Sequence, residues 1–502
     1  MINSKKTMSE NFGPIVIIFG LLLFCYYNVL STNYYYIDDL GRSLEGYSGW
    51  SRNGRPLADL FFYVISFGAP LPDISPLPQL LAIASLSLGA YLTGKAFLGN
   101  SEGGFLSFLL CLPLALSPFY FENMSYKYDA FPMSLSVLCA MLPFVVRING
   151  TIKLLAACVL SVIISLCLYQ ASLNIYVIYT MLYVLNKFKE GSDVDGFKSI
   201  GISITGLLVG YLIYSSLISP NFIEGDYNLQ HSQVSSFELS SLKDAIFGNS
   251  KVFYYVLSTS MSTTMLSLLL IVACMASISA VRLCCEKSTS KGIIKLLRNA
   301  IILVSPFLVI LMIAGPMLLL KSAVVSARVF VAFGAIIVFY NILACWMLGL
   351  RSKIMWVLSI LYFFYMLGAA FSYGNALDNQ EKYDNEVITT IISDLNTNNL
   401  ANAKHISFLG MLPISPEGRI AITKYPFFAH LIHPTINGRW SWGLRHIKHF
   451  DIKHDFNSGE YYADLKQNLC RYTLMTNGMV FNSYYDSKND SVIYDFTKMS
   501  CK

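Results

Sequence analysis

Eleven apolar runs recur along the chain, and they restrict its fold more than any other feature. A bilayer core about 30 Å thick is spanned by roughly 17 to 25 apolar residues in a helix. The chain is 55% hydrophobic and 13% charged, whereas about a quarter of the residues of a soluble protein are charged. We therefore predict a polytopic α-helical membrane protein. Its helices are expected near residues 14–31, 76–95, 104–119, 130–146, 152–168, 172–186, 199–218, 253–281, 300–320, 329–348 and 354–373.

The distribution of Lys and Arg predicts the orientation, because cytoplasmic loops carry an excess of both. With a cytoplasmic N-terminus, the cytoplasmic segments hold fifteen such residues and the outer loops before the tail hold eight. The first run is interpreted as a retained helix, because no small-residue cleavage site follows it. Eleven crossings place the tail outside the cytoplasm. The scattered positive charge, +6 in total, argues against a nucleic-acid partner.

The composition changes after Ser372 to that of a small α/β domain. We predict a membrane domain over residues 1–373, with a long first outer loop at 32–75, and an outer C-terminal domain over 374–502. In the tail, the run 385–400 is helical in spacing, 405–410 is strand-like, and 478–496 reads as two strands around a turn. Cys470 and Cys501 lie in this exported tail, where an oxidising compartment permits a disulfide between them.

The first outer loop contains "YYYIDDLGRSLEGYSGWSRNGRPLADLFF", residues 34–62, with two adjacent carboxylates. Ionisable groups at a membrane boundary are costly to desolvate and are often functional. Asp38 or Asp39 is the candidate general base that removes a proton from an acceptor hydroxyl, while the other orients or binds. The alternative is a solvated pair that only marks the interface.

Arginines provide the complementary charge. Arg42, Arg52 and Arg55 follow the acidic pair, and Arg328 lies in an outer loop far along the chain. Their planar guanidinium groups suit phosphate oxygens and can stabilise a departing phosphate. The same residues would also suit anionic lipid headgroups.

Two shorter outer loops add further candidates. Glu122, Lys127 and Asp129 in "YFENMSYKYDAF" mix acid and base beside tyrosines, although local salt bridges explain them nearly as well. Tyr169 and Gln170 occupy a tight turn and could hold a sugar hydroxyl or simply connect two packed helices. Aromatics in the tail, including "RWSWG", could floor a sugar site or form the core and membrane rim of a small domain.

Several chemistries lack a sequence signature. None of the histidines has a zinc-site spacing, and neither a P-loop nor a serine-hydrolase elbow is found. ATP-driven transport and serine-hydrolase chemistry are therefore disfavoured.

Taken in order, "IDDLGRSLEGYSGWSRNGRPLADLFF", "FENMSYKYD", "LYQASLN" and the exported tail resemble the serotype-converting O-antigen glucosyltransferases, the Gtr family of enteric bacteria and their phages. The resemblance implies a GT-C-type glycosyltransferase in the bacterial inner membrane. Such enzymes transfer glucose from undecaprenyl-phosphate glucose to lipid-linked O-antigen at the periplasmic face. The base would be Asp38 or Asp39, and the expected partners are a small flippase and a carrier-charging glucosyltransferase. The resemblance does not settle whether a divalent metal is used.

Two other functions fit the same setting. An O-antigen polymerase is also polytopic, but one long middle loop with paired arginines is expected and is not seen. A polysaccharide flippase is expected to place charged residues within its helices, and here they are nearly free of charge.

Overall fold

The computed structural model describes residues 2–99, 104–236, 238–286, 288, 290–438, 440–457 and 459–499. Its helices are α1 (Ile2–Ser31), α2 (Asp39–Glu45), α3 (Pro56–Ile65), α4 (Leu77–Leu98), α5 (Gly104–Cys111), α6 (Tyr120–Ser125), α7 (Ala130–Val145), α8 (Thr151–Leu168), α9 (Leu173–Lys189), α10 (Asp193–Ile213), α11 (Ser219–Phe222), α12 (Asp226–Ser232), α13 (Leu239–Ser260), α14 (Thr263–Cys285), α15 (Gly292–Leu311), α16 (Ala332–Leu348), α17 (Lys353–Thr397), α18 (Pro416–Lys424), α19 (Trp442–Lys448) and α20 (Gly459–Asn468). Its strands are β1 (His405–Leu409), β2 (Asp455–Phe456), β3 (Thr473–Asn477), β4 (Asn482–Asp486) and β5 (Ser491–Asp495).

Long apolar helices form a bundle that confirms a polytopic membrane protein. Among the described residues, seven helices are long and apolar enough to cross a bilayer: residues 13–31, α4, α8, residues 193–222, α14, α15 and α17. Their outward faces expose apolar side chains such as Leu160, Leu208 and Phe307, as lipid-facing surfaces do. Other predicted spans are shorter apolar helices, including α7 and α16, so the number eleven stays a prediction.

Several predicted spans have the wrong bounds, and two of them show the physical reason. The run 253–281 is not one helix, because α13 ends at Ser260 and α14 begins at Thr263. Ser262 caps the new helix by accepting a hydrogen bond from the Met265 backbone N–H at 3.2 Å, a role that serine favours over a helix interior. The run 104–119 is α-helical only to Cys111, because Pro113 lacks the backbone donor that would continue the helix.

Close helix contact explains one glycine in the bundle. A Cβ atom on Gly334 of α16 would lie 2.1 Å from the carbonyl oxygen of Pro113. Only glycine allows this approach, which brings α16 against the turn that follows α5.

The C-terminal region contains a five-stranded sheet in the order β2-β1-β5-β4-β3. β1 is parallel to β2 and β5, and β4 is antiparallel to β3 and β5. The predicted strands at 405–410 and 478–496 are confirmed as β1, β4 and β5. Helix α17 crosses the predicted boundary at residue 373 without interruption, so the domain division stays a prediction. Cys470 is disulfide-bonded, and Cys501, its predicted partner, lies outside the described residues.

The five predicted outer loops meet at one end of the bundle. This shared position follows from the alternation of the helices and places the acidic and basic residues of distant segments together. Three contacts join the loops: Gln170 to Arg55, the Glu224 backbone to that of Arg52, and the Arg328 backbone to Glu122.

Candidate active site

A sharp turn before α2 sends the two adjacent aspartates in different directions. Ile37 has a φ of 49°, which is rare for a β-branched residue. Asp38 is the N-cap of α2, and Asp39 is its first residue. Because consecutive helical positions are about 100° apart, the Asp39 carboxylate is buried in the protein and the Asp38 carboxylate is partly exposed.

Asp39 is completely buried. Its Oδ2 accepts a hydrogen bond from the backbone N–H of Lys127 at 2.7 Å. Burial, followed by the nearby negative charge of Asp129, raises the pKa of Asp39 well above its usual range. The contact of Asp39 with Lys127 joins the first outer loop to the second.

Asp38 is the accessible member of the pair. Its side chain is 43% exposed, and Oδ2 lies 3.7 Å from Nη1 of Arg328. The guanidinium group of Arg328 also donates to the hydroxyl of Tyr126 and lies 5.2 Å from the centre of that ring. The first and fifth outer loops thus meet in a carboxylate–guanidinium pair that a substrate can reach.

Three buried groups fix the backbone of Arg328. Glu122 Oε2 accepts the Arg328 backbone N–H at 2.5 Å. Asn123 Nδ2 and the Tyr169 hydroxyl donate to the Arg328 carbonyl oxygen at 3.2 and 3.0 Å. Burial raises the pKa of Glu122 to about 7, although Arg328 opposes that rise. These contacts hold the Arg328 backbone in place and so restrict where its side chain can lie.

A second arginine, Arg55, shares Tyr169 as a neighbour with Arg328. Arg55 Nε donates to Gln170 Oε1 at 2.8 Å, and the guanidinium lies 4.7 Å from the centre of the Tyr169 ring. Burial lowers the pKa of Arg55, and the positive charge of Arg328 lowers it further. An anion bound near both positively charged guanidinium groups would relieve this repulsion.

Arg42 and Asp129 form a buried ion pair with each other. Nη1 of Arg42 lies 2.7 Å from Oδ2 of Asp129 in an almost completely buried ion pair. Trp50 Nε1 donates to the other carboxylate oxygen at 2.6 Å, and the Arg42 guanidinium lies 4.1 Å from the Trp50 ring. These contacts brace the first loop against the second.

Two predicted cations lie apart from this centre. Arg52 is exposed and makes a 3.4 Å ion pair with Glu224. Lys127 donates from Nζ to the Asn33 carbonyl oxygen at 3.2 Å and lies 4.1 Å from the Tyr35 ring. Their predicted roles in phosphate binding are not supported by a position beside Asp38, and they stay predictions.

Metal binding is not favoured by the donors at this centre. The carboxylates of Asp38 and Asp39 diverge, and both oxygens of Asp129 accept hydrogen bonds from Arg42 and Trp50. In the described ranges no group of three His, Cys, Asp or Glu side chains could hold a metal ion.

Sequence reasoning missed several residues that shape the site. Tyr126 and Asn123 position Arg328, Trp50 braces Asp129, and Tyr214 donates to the Gly54 carbonyl oxygen at 2.9 Å. Tyr126 and Asn123 lie inside "FENMSYKYD", where the density of polar and aromatic residues was the available signal.

Comparisons of the sequence with known proteins identify a family model and a phage relative. A family model described as "Glucosyl transferase GtrII" matches residues 27–339. A protein of Salmonella phage P22, described as "Uncharacterized 55.3 kDa protein in gtrB 5'region", is 31% identical over 438 residues. That alignment covers 85% of this chain and 88% of the phage protein. No solved structure matches. The chain belongs to the GtrII glucosyl transferase family.

Proposed function

We propose that the protein transfers a glucosyl residue from undecaprenyl-phosphate glucose to a sugar hydroxyl of lipid-linked O-antigen at the periplasmic face of the bacterial inner membrane. Membership of the GtrII family supports glucosyl transfer. The apolar bundle supports a donor that reaches the site from the bilayer. The loops of one end of the bundle supply both a carboxylate and guanidinium groups.

The pairing of Asp38 with Arg328 carries this proposal. Asp38 removes the proton from the acceptor hydroxyl, and the oxygen attacks the anomeric carbon of glucose. The bond from that carbon to the phosphate oxygen breaks, and its electron pair leaves with the polyprenyl phosphate. The displacement inverts the configuration at the anomeric carbon. Asp38 suits the role of base because its carboxylate is accessible and lies beside a positive charge.

Arg55 and Arg328 are the proposed phosphate contacts. Both residues contact Tyr169, and the positive charge of Arg328 lowers the pKa of Arg55. A lipid phosphate between them would relieve this repulsion and gain bidentate hydrogen bonds. As the glycosidic bond breaks, the phosphate takes up charge, so the same contacts stabilise the transition state.

The other predicted residues act through position. Asp39 and Lys127 join the first two outer loops, and Arg42 and Asp129 brace them. Gln170 and Tyr169 hold Arg55 and Arg328. In this proposal the N-terminus is cytoplasmic and the C-terminal domain is periplasmic. A small flippase and a carrier-charging glucosyltransferase supply the donor on that side.

The test is expression of the chain with the two partner proteins in a host of defined O-antigen, followed by sugar and linkage analysis of the polysaccharide. One added glucose per repeat is expected, and Asp38→Asn is expected to abolish it. Unchanged polysaccharide with the wild-type chain, when the charged carrier is present, would overturn the proposal. A changed chain length without added glucose would indicate a polymerase.

A further inference from the structure

The C-terminal domain presents an aromatic surface beside the first outer loop. The rings of Trp440 and Trp442 stack with centroids 5.3 Å apart and an interplanar angle of 10°. Trp440 is 46% exposed. Arg445 lies one helical turn beyond Trp442 on the same face of α19, and its guanidinium lies 6.0 Å from the Tyr47 ring. We call Tyr47, Trp440, Trp442 and Arg445 the tryptophan platform.

Helix α19 lies directly against α2, the helix that Asp38 caps. A Cβ atom on Gly41 would lie 2.6 Å from Nη1 of Arg445, so the guanidinium rests on the α2 backbone. His449 lies 3.3 Å from the hydroxyl of Ser43. The platform therefore borders the helix that begins at the proposed base.

A second series of contacts leads from the platform to Arg328. The Trp442 ring lies 6.3 Å from that of His433, and His433 lies 5.9 Å from Tyr36. Tyr36 lies 4.9 Å from Tyr126, whose hydroxyl contacts Arg328. A series of aromatic ring contacts thus connects the tryptophan pair to the proposed reaction centre.

A hydrophobic core does not explain the platform, because nearly half of the Trp440 surface is exposed. A membrane-interface role is disfavoured because the segment that carries the platform packs against the sheet. A Cβ atom on Gly443 would lie 2.9 Å from the Phe408 ring of β1, so the segment is fastened to the sheet, whereas interfacial tryptophans flank membrane spans.

The polar groups of the platform match a glycan. Among the described residues, no carboxylate forms an ion pair with Arg445, so its planar donors are available to hydroxyl oxygens. Flat aromatic faces pack against the C–H faces of sugar rings, and a guanidinium donates to paired hydroxyl groups. An aromatic surface with one unpaired arginine suits a carbohydrate better than a lipid tail.

We propose that the tryptophan platform binds a sugar ring of the acceptor glycan and so helps to select which polysaccharide is modified. The identification of the glycan as the acceptor rests on the proposed function. Binding itself requires only the platform. Trp440 provides the stacking surface, and Arg445 holds the hydroxyl groups at the edge of the ring.

The test measures binding of delipidated O-polysaccharide from the host strain to the purified full chain in detergent, by titration calorimetry. Trp440→Ala is expected to weaken binding roughly tenfold, as the loss of one aromatic stacking contact implies. Trp440→Phe keeps an aromatic face and is expected to weaken binding less than threefold. Met479→Ala is the matched control, because Met479 is a 93% exposed apolar side chain of the same domain, and wild-type affinity is expected.

Equal affinity of the wild-type chain and Trp440→Ala would overturn the platform, as would failure of the wild-type chain to bind the polysaccharide. A bilayer contact is tested with brominated lipids in nanodiscs. The fluorescence of Trp440 is the part of the wild-type emission that Trp440→Phe lacks. Quenching of this part by the brominated lipids would assign Trp440 to the membrane and overturn the proposal. If the wild type binds polysaccharide but adds no glucose, the proposed function fails while the platform stands. If Trp440→Ala adds as much glucose as the wild type, the proposed function stands and the role of the platform in acceptor selection fails.

Discussion

Asp38 and Asp39 are neighbours in the chain, yet the carboxylate of Asp38 is 43% exposed beside Arg328, whereas Asp39 is completely buried. Two chemically identical side chains therefore have different capacities. The accessible carboxylate can meet a substrate, and the buried one holds Lys127 in place.

Replacement of each aspartate by asparagine separates these capacities. Asp38→Asn is expected to lower the rate of glucosyl transfer at least about 100-fold, because the proposed general base is removed. Asp39→Asn is expected to keep most of the activity, because an amide oxygen still accepts the Lys127 N–H. Initial rates in membranes with matched protein amounts measure both effects. An inactive Asp39→Asn beside an active Asp38→Asn would contradict the assignment.

The two arginines that contact Tyr169, Arg55 and Arg328, are expected to determine the affinity for the lipid-linked donor. Arg55→Lys and Arg328→Lys keep the charge but lose the planar pair of donors, so KM for the lipid-linked donor is expected to rise roughly tenfold in each variant. KM for the acceptor is expected to change little. Lys382→Gln is the control, because Lys382 is exposed and pairs with Asp378 on α17. A rise confined to the acceptor KM would place the phosphate elsewhere.

Glu122 is expected to make stability depend on pH. Its folded-state pKa of about 7 lies above the ordinary value of 4.5, so the folded protein binds the proton more tightly than the unfolded chain. The associated stabilisation is complete below pH 4.5 and is lost as the pH rises to about 7, by up to about 3 kcal/mol. Glu122→Gln removes this loss, because glutamine does not ionise.

Thermal unfolding of the two proteins in detergent across this pH range measures the effect. The Tm of Glu122→Gln relative to the wild type is expected to rise between pH 4.5 and about 7 and to level off above. Lys382→Gln is the control variant, and its Tm is expected to follow that of the wild type across this pH range. Parallel profiles for Glu122→Gln and the wild type would show that Glu122 is not buried in its protonated form.

A buried ion pair far from the active site is expected to hold the other end of the bundle. Arg298 Nε and Asp193 Oδ1 lie 3.0 Å apart, and neither side chain is exposed. Arg298→Met is expected to destabilise the protein by about 3 to 5 kcal/mol, because the Asp193 charge loses its partner. The double variant with Asp193→Asn is expected to recover much of this loss. Unfolding temperatures in detergent compare the three, and equal losses in the single and double variants would contradict a charge effect.

Hydropathy predicted the bundle well because apolar length is a direct requirement of the bilayer. It failed where polar side chains cap helices, as at Ser262, and where Pro113 removes a backbone donor. In the tail, apolar alternation identified β1, β4 and β5. It did not identify β2, which is only two residues long, or β3, whose side chains are largely exposed.

The candidate site was predicted as a set of residues but not as an arrangement. The sequence identified Asp38, Asp39 and Arg328 as candidates. It did not separate the two aspartates, because their difference depends on the Lys127 backbone, 88 residues away. The pairing of Arg42 with Asp129 likewise joins separate loops. Long-range contacts of this kind leave no local pattern in a sequence.

Helix α17 has 45 residues and, at 1.5 Å per residue, is about 68 Å long. Its first half packs into the bundle through Met366 and Ala370, and its second half supplies Ile388 and Ile391 to the core beneath the sheet. A single rod built into both cores works as a ruler. It fixes the distance between the bundle and the sheet that carries the tryptophan platform. If the platform binds the acceptor glycan as proposed, this distance sets which sugar of the glycan lies level with Asp38.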